Sequence, residues 1–280
     1  MNARTRTIWH KLLGVAAVAG VLALTGCAGV QTTQSGAIGV ERTQYMSSMV
    51  PAQEIEQEAG QQYADLIQQA KAQGALDRNA SQVSRVQAIS KRLIAQVGTF
   101  RPDATNWQWE VHVLSSDDVN AWCMPGGKMA VYTGLLTQIK PTDAELAAVM
   151  GHEIAHALRE HARERVSQQM VTNLGLSVLS IATGVSADLS GKLTDVMFTL
   201  PNSRTHESEA DLMGVELAAR AGYDPRAAVT LWEKMGAASS GSSPPEFLST
   251  HPSAATRITD LQVASERVLP LYQQAIGKSK

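Results

Sequence analysis

From Ile55 onward the apolar positions fall into two rhythms. Ile55, Ala59, Tyr63, Leu66, Ile67 and Ala70 recur at helical spacing over residues 53–73, and Val83, Val86, Ile89, Leu93, Ile94 and Val97 do so again before Gly98. Each set lines one side of a 3.6-residue turn, which predicts two amphipathic helices packed on a common partner. The segment from Trp107 to Leu114 alternates instead and is rich in aromatic and β-branched residues, so it reads as a strand. Pro125-Gly126-Gly127 marks a turn before a second short strand, Lys128 to Tyr132. Together they predict a small antiparallel sheet, with Pro125 keeping its strand at an edge because proline has no N–H to give to a ladder.

Helical spacing then resumes. Thr142, with Glu145 three residues on, can form a capping box. The helix it opens carries Ala147, Met150, Ile154 and Leu158 and is expected to run toward Gln169. Residues 171–200 are apolar and small, with Gly175, Gly184 and Gly191, and suggest a helical hairpin or a flap over a cleft. Their breaks leave no apolar run near the roughly 20 residues that a membrane span needs. A helix over Arg204 to Ala221 stops at Gly222, with Asp224-Pro225 beyond. A shorter one covers Ala227 to Met235, Ser239 to Pro245 is a loop, and a last helix runs from Ala254 to Ala275 with Pro270 as its expected break. The class is therefore α+β, mainly helical with a small antiparallel sheet.

With 44% hydrophobic and 18% charged residues, the 280-residue chain has the composition of a globular protein. Its net charge of -2 gives no basic surplus for nucleic acid. Arg4, Arg6 and Lys11 precede an apolar stretch from Leu12 to Leu24, and Leu24-Thr25-Gly26-Cys27 follows. That order is the pattern of a bacterial lipoprotein signal with its lipobox. The expected organisation is a signal peptide over 1–26, a flexible tether over 27–52 rich in Gly, Ser, Thr and Gln, and one domain over 53–280. Within it, helices fill 53–100 and a catalytic core fills 105–265. Cys27 would be the acylated residue. Ala28 and Gly29 behind it, rather than Asp, point to the periplasmic face of the outer membrane. Cys123 is then the one remaining thiol, a small buried hydrophobe with no disulfide to make.

The densest chemistry lies at His152-Glu153-Ile154-Ala155-His156. Residues four apart on a helix share a face, so both imidazoles can reach one metal ion while Glu153 stands beside its water. Val149, Ile154, Ala155 and Ala157 make this helix apolar on most sides, and buried histidines and a glutamate need partners there. A catalytic zinc takes three protein ligands. Glu207 is the best third candidate, because Asp211 lies four residues on and can orient a ligating histidine; His206 is a rival by type, and Glu209 points elsewhere. His161 would sit about 140° around a continuous helix from His156 and is not expected to bind. His112 and His10 read as incidental.

Four blocks of the chain resemble the metallopeptidase family of HtpX and the CAAX prenyl endopeptidases, and more closely its soluble periplasmic lipoprotein branch, involved in outer-membrane protein quality control. They are Asn120-Ala121-Trp122 with Pro125-Gly126-Gly127, the His152 to His156 block, Ser203-Arg204 with Glu207 to Asp211 and on to Pro225, and Leu248 to Pro252 with Arg257-Ile258. The resemblance implies a zincin-like fold and one zinc ion per chain, held by His152, His156 and Glu207, with Glu153 as general base. Asp211 falls on an acidic position often treated as a proton donor in that family. The several spanning helices of its membrane-embedded members are lacking, so cleavage of prenylated substrates within a membrane is not carried over. Residues 28–100 carry none of the blocks.

The expected activity is zinc-dependent cleavage of unfolded or misassembled polypeptides in the periplasm, in quality control of the cell envelope, from a lipid anchor on the outer membrane. An extended substrate would add to an edge strand near Lys128 to Tyr132. His251 and Arg257 are candidates to hold the oxyanion. His251 could also cap the metal in a resting state, or be a structural loop residue. Two other readings are a zinc-bound chaperone or scaffold of outer-membrane assembly with little proteolysis, and a structural zinc module in which His251 is a fourth ligand.

Overall fold

In the computed structural model, which describes residues 27–177, 189–238, 245–252 and 256–277, the first two rhythms form helices α1 (Ala52–Ala72) and α2 (Ala80–Ile94). Helix α1 buries Ile55, Ala59, Tyr63 and Ala70; α2 buries Val86, Ile89 and Leu93. Asn79 caps α2 by accepting from the amides of Ser81 and Gln82. Burying a large side chain such as Leu93 contributes about 1.5–3 kcal/mol, so these faces fix both helices to the core.

The sheet comprises β3 (Glu110–Leu114), β4 (Ala121–Met124) and β5 (Lys128–Tyr132), after two N-terminal strands described below. Its order is β3-β5-β4, with β3 parallel and β4 antiparallel to β5, so it is mixed where an antiparallel sheet was expected. The Pro125-Gly126-Gly127 turn joins β4 to β5. Gly127 adopts a φ of 83°, and a Cβ there would lie 2.6 Å from the ring of Trp109. Strand β5 is thus central, β3 and β4 are the two edges, and Pro125 directly follows β4. This corrects the expected docking strand: Lys128 to Tyr132 are paired on both sides, and the edge strand that lines the cleft described below is Ala121–Met124. Alternation along a strand reports its faces, not its neighbours.

Helix α3 (Asp143–Leu158) opens with the expected capping box. The Glu145 amide donates to Thr142 Oγ1 at 3.3 Å and the Thr142 amide to the Glu145 carboxylate at 2.7 Å. Every residue from Glu145 to Leu158 is buried. The helix does not run on to Gln169. Glu160 has a φ of 52°, a left-handed position that an α-helix cannot contain, and α4 (His161–Ser177) begins anew. Helices α5 (Leu189–Phe198), α6 (Arg204–Arg220), α7 (Ala227–Ala238), α8 (Glu246–Thr250) and α9 (Arg257–Gly277) follow. Pro270 does not break α9; it lies on the exposed side. Helix α3 crosses α6 where Gly151 meets Gly214. Of the expected flap, residues 178–188 lie outside the described residues, as do the signal segment 1–26 with His10 and the loop 239–244. No described helix is long and apolar enough to cross a membrane.

Residues 27–50 correct the expectation of a tether. Strand β1 (Cys27–Val30) pairs antiparallel with β2 (Gln44–Ser47), and Ile38, Val40, Met46 and Val50 are buried. The amides of Ala37 and Ile38 donate to the carboxylate of Glu216 at 2.9 and 2.8 Å, and the Gln34 amide to the carbonyl of Phe100 at 2.7 Å. The segment is a strap on the domain. Its composition is that of a linker because its order comes from partners far along the chain, both the polar groups it meets there and the core that takes in Ile38, Val40 and Val50.

Candidate metal centre

His152 and His156 lie one turn apart on α3, and Glu207 and Asp211 one turn apart on α6. The two Nε2 atoms are 3.0 Å apart. Glu207 brings Oε2 to 3.5 Å from His152 Nε2 and Oε1 to 3.3 Å from His156 Nε2. His251, directly after α8, reaches the same point. One donor atom each from His152, His156, Glu207 and His251 lie within 4.8 Å of one another, and all four residues are buried.

The remaining ring nitrogens fix the protonation of these imidazoles. His152 Nδ1 is 2.9 Å from Asp211 Oδ1, and a carboxylate only accepts, so Nδ1 carries the hydrogen. His251 Nδ1 donates likewise to the carbonyl of Phe247 at 3.1 Å. His161 Nε2 donates to Glu209 Oε2 at 3.0 Å, which leaves His161 Nδ1 as the acceptor for His156 Nδ1 at 2.8 Å. Burial pushes His152, His156, His161 and His251 well below the usual imidazole range, toward the neutral form. Three unprotonated Nε2 atoms therefore face one another, and the closest pair has no hydrogen to share. Among the described residues, the buried Glu207 Oε1 also has no hydrogen-bond partner. A cation among these atoms reconciles them. Four donors placed tetrahedrally at 2.0–2.1 Å from zinc stand roughly 3.3 Å apart, and the separations here are 3.0, 3.3 and 3.5 Å. The residues fit a zinc ion.

Glu153 is buried beside the donors, with Oε1 3.3 Å from His251 Nε2. Burial, and then the charge of Glu207, push its carboxyl well above the usual range, against the opposing pull of Arg257 and the Cys123 amide. A cleft lined by Ala121, Trp122, Glu153, His156, Phe198 and Asn202 opens onto these groups, so the edge strand β4 borders the site.

Arg257 departs from the expected oxyanion role. Its Nη1 donates to Glu207 Oε2 at 3.0 Å and its Nη2 to Asp211 Oδ1 at 2.7 Å, while its guanidinium lies 3.2 Å over Trp232. It is committed to the α6 carboxylates and holds them in place. Asp211 is pushed up to about 6 by burial, with Arg257 opposing. His251 is in the site, stacked at 4.1 Å on Phe247, and it presents a lone pair toward the donors rather than an N–H toward an oxyanion. His206 turns away, donating to Glu164 at 3.1 Å. His112 pairs with Asp77, and Cys123 is buried, its thiol pushed up by burial. His161 lies outside the donor group; it starts α4 and supports His156 from behind.

Residues 80–265 match the model of Peptidase family M48, about two thirds of the chain. The chain belongs to this family. Within it, the mitochondrial metalloendopeptidase OMA1 of Arabidopsis thaliana is 41% identical over 170 residues, covering 59% of this chain and 34% of that protein. The mitochondrial metalloendopeptidase OMA1 of Schizosaccharomyces pombe is 37% identical over 182 residues, 63% of this chain and 51% of its own. The β-barrel assembly-enhancing protease of Escherichia coli is 29% identical over 206 residues, 68% of this chain and 40% of its own. The chain thus spans between about a third and a half of the length of these relatives. The match to the family contains α3, α6 and His251 but stops short of the N-terminal strap, which begins 53 residues upstream of it.

Proposed function

We propose that this chain is a zinc-dependent endopeptidase that cleaves extended, unfolded or misassembled polypeptides. The observation that carries this reading is the set of three unprotonated Nε2 atoms and one carboxylate, converging beside a second, proton-hungry carboxylate at the head of an open strand edge. His152, His156 and Glu207 would hold the ion. When bound, zinc supplies a Lewis acid and a water whose pKa falls toward about 7. A substrate strand would lie along β4 by main-chain hydrogen bonds, which brings its carbonyl over the cleft. Glu153 takes the proton of the attacking water, holds it in its buried pocket, and gives it to the leaving amine nitrogen. Asp211 keeps the hydrogen of His152 on Nδ1, and Arg257 fixes both α6 carboxylates.

His251 supports a second reading, because a fourth protein donor closes a zinc site as structural modules do. Glu153 speaks against it: a structural site has no use for a buried carboxylate oxygen that lacks a hydrogen-bond partner among the described residues. A resting state capped by His251 accommodates both. The deciding experiment is E153Q in the purified protein. Endopeptidase action requires retained zinc with casein cleavage lowered by about 10²–10⁴-fold, the usual worth of general acid–base catalysis. Cleavage at the wild-type rate would remove Glu153 from the mechanism, and zinc without cleavage in the wild type would favour the structural site.

The cellular setting belongs to the same proposal. The lipobox before Cys27 supports a lipid-anchored protein at the periplasmic face of the outer membrane, in the soluble lipoprotein branch of the family, and the likeness to a β-barrel assembly-enhancing protease supports a role in envelope quality control. Labelled palmitate incorporated into the wild type, and absent from C27A, tests the anchor.

A further inference from the structure

The three histidines of the donor set are not held alike. His152 leans on a carboxylate and His251 on a carbonyl, both of which accept whatever the state of their surroundings. His156 leans on another imidazole, His161, which accepts at Nδ1 only while its own hydrogen sits on Nε2. Glu209 enforces that state, taking the Nε2 hydrogen at 3.0 Å. Glu209 is fixed in turn by two arginines: Arg159 through Nε at 3.1 Å and Nη2 at 2.9 Å, and Arg42 through Nε at 2.5 Å.

Arg42 lies on the N-terminal strap. It also clamps both oxygens of Glu164 at 2.7 and 2.8 Å; that carboxylate receives Gln44 of the strap at 2.9 Å and His206 at 3.1 Å. His206 stacks on His161 with ring centres 4.3 Å apart and planes 14° from parallel, which sets the orientation of the relaying ring. Thr33 and the Arg42 carbonyl complete the shell of the wholly buried Arg159. Arg42 Nη2 also reaches the Glu209 oxygen that faces His161, at 3.2 Å; without the Arg42 side chain, Glu164 and Glu209 would both lose their shared cation and Arg159 alone would hold that oxygen.

We propose that His161 and Arg42 are positioning residues for the metal: the chain Arg42–Glu209–His161–His156 holds His156 in its metal-binding tautomer, so residues 27–50 set the metal affinity of a site to which they contribute no ligand. The proposal rests on the reading of His156 as a zinc ligand. It gives the strap a task that a tether would not have.

The test is zinc affinity, by competition with a chromophoric chelator, in the full chain and in H161F, H161Q and R42Q, with the melting temperature of each zinc-free protein recorded beside it. Phenylalanine keeps the ring but ends the relay. Glutamine can accept from His156 through its carbonyl and donate to Glu209 through its amide. We expect H161F to weaken zinc binding by about 10–100-fold, the usual effect of removing the group behind a ligating histidine. H161Q should bind close to the wild type, and R42Q should fall between the two. Wild-type affinity in H161F, or equal losses in H161F and H161Q, would overturn the relay; unchanged affinity in R42Q would remove the strap from it. Should H161F not fold, R42Q, altered at a partly exposed side chain, carries the comparison alone. A wild type that binds no zinc would instead sink the underlying metal reading.

Discussion

Gly151 and Gly214 face each other across the two helices that build the site, so closely that a Cβ on Gly214 would lie 2.7 Å from the amide nitrogen of His152. A Cβ on Gly151 would lie 2.9 Å from the carbonyl oxygen of Gly214. The contact is backbone to backbone, so no side chain can swing aside to admit a methyl group. It sets the separation at which Glu207 and Asp211 on α6 meet His152 and His156 on α3.

Gly214→Ala should therefore act twice. Overpacking a tight crossing costs about 1–3 kcal/mol, and the melting temperature of the zinc-free protein should fall accordingly. The helices must also part, which pulls Glu207 from the imidazoles, so zinc affinity should drop as well. Thermal unfolding and chelator competition read the two effects separately. An alanine variant with native stability and native affinity would show that the crossing does not determine the site.

Zinc should be a folding ligand as well as a cofactor. In its absence the His152 and His156 lone pairs oppose each other at 3.0 Å in a buried setting. An ion that binds only the folded state stabilises it by about 2.7 kcal/mol at one hundred times its dissociation constant. Saturating zinc should raise the melting temperature of chelator-stripped protein, and the rise should vanish in E207A. No shift in the wild type would contradict the donor set.

Asp211→Asn separates two roles. The variant loses the charge that Arg257 grips at 2.7 Å and weakens the acceptor of His152 Nδ1 at 2.9 Å. Zinc affinity should fall by about 10–100-fold, with activity following it. Native affinity with lost cleavage would give Asp211 the proton-donor role that the family resemblance implies.

The network behind the site should fail in acid. Burial pushes the Glu164 carboxyl up, but hydrogen bonds from Arg42, His206 and Gln44 outweigh it and hold the group well below the usual carboxylate range. A group depressed on folding adds stability that is fully present above its unfolded pKa of about 4.3 and is lost as pH falls below it. The melting temperature of zinc-free protein should decline between about pH 5 and pH 3, and the decline should be shallower in Glu164→Gln. Equal slopes would show that other carboxylates govern acid unfolding.

The features legible in the residue order alone are local. Four-residue spacing placed His152 with His156 and Glu207 with Asp211 on shared faces, and the Thr142–Glu145 pair marked where the first of those helices begins, because helical geometry ties neighbours in sequence to neighbours in space. The packed fold settled the rest, through partners far along the chain. It made β5 central and β4 an edge strand at the cleft, turned Arg257 from the substrate to the α6 carboxylates, ended α3 before His161, and folded the linker-like residues 27–50 onto the back of the site. No periodicity records that Arg42 will meet Glu209, 167 residues away. Such contacts are fixed by which buried charges and ring nitrogens must find partners once the core has closed, and that demand exists only in the folded molecule.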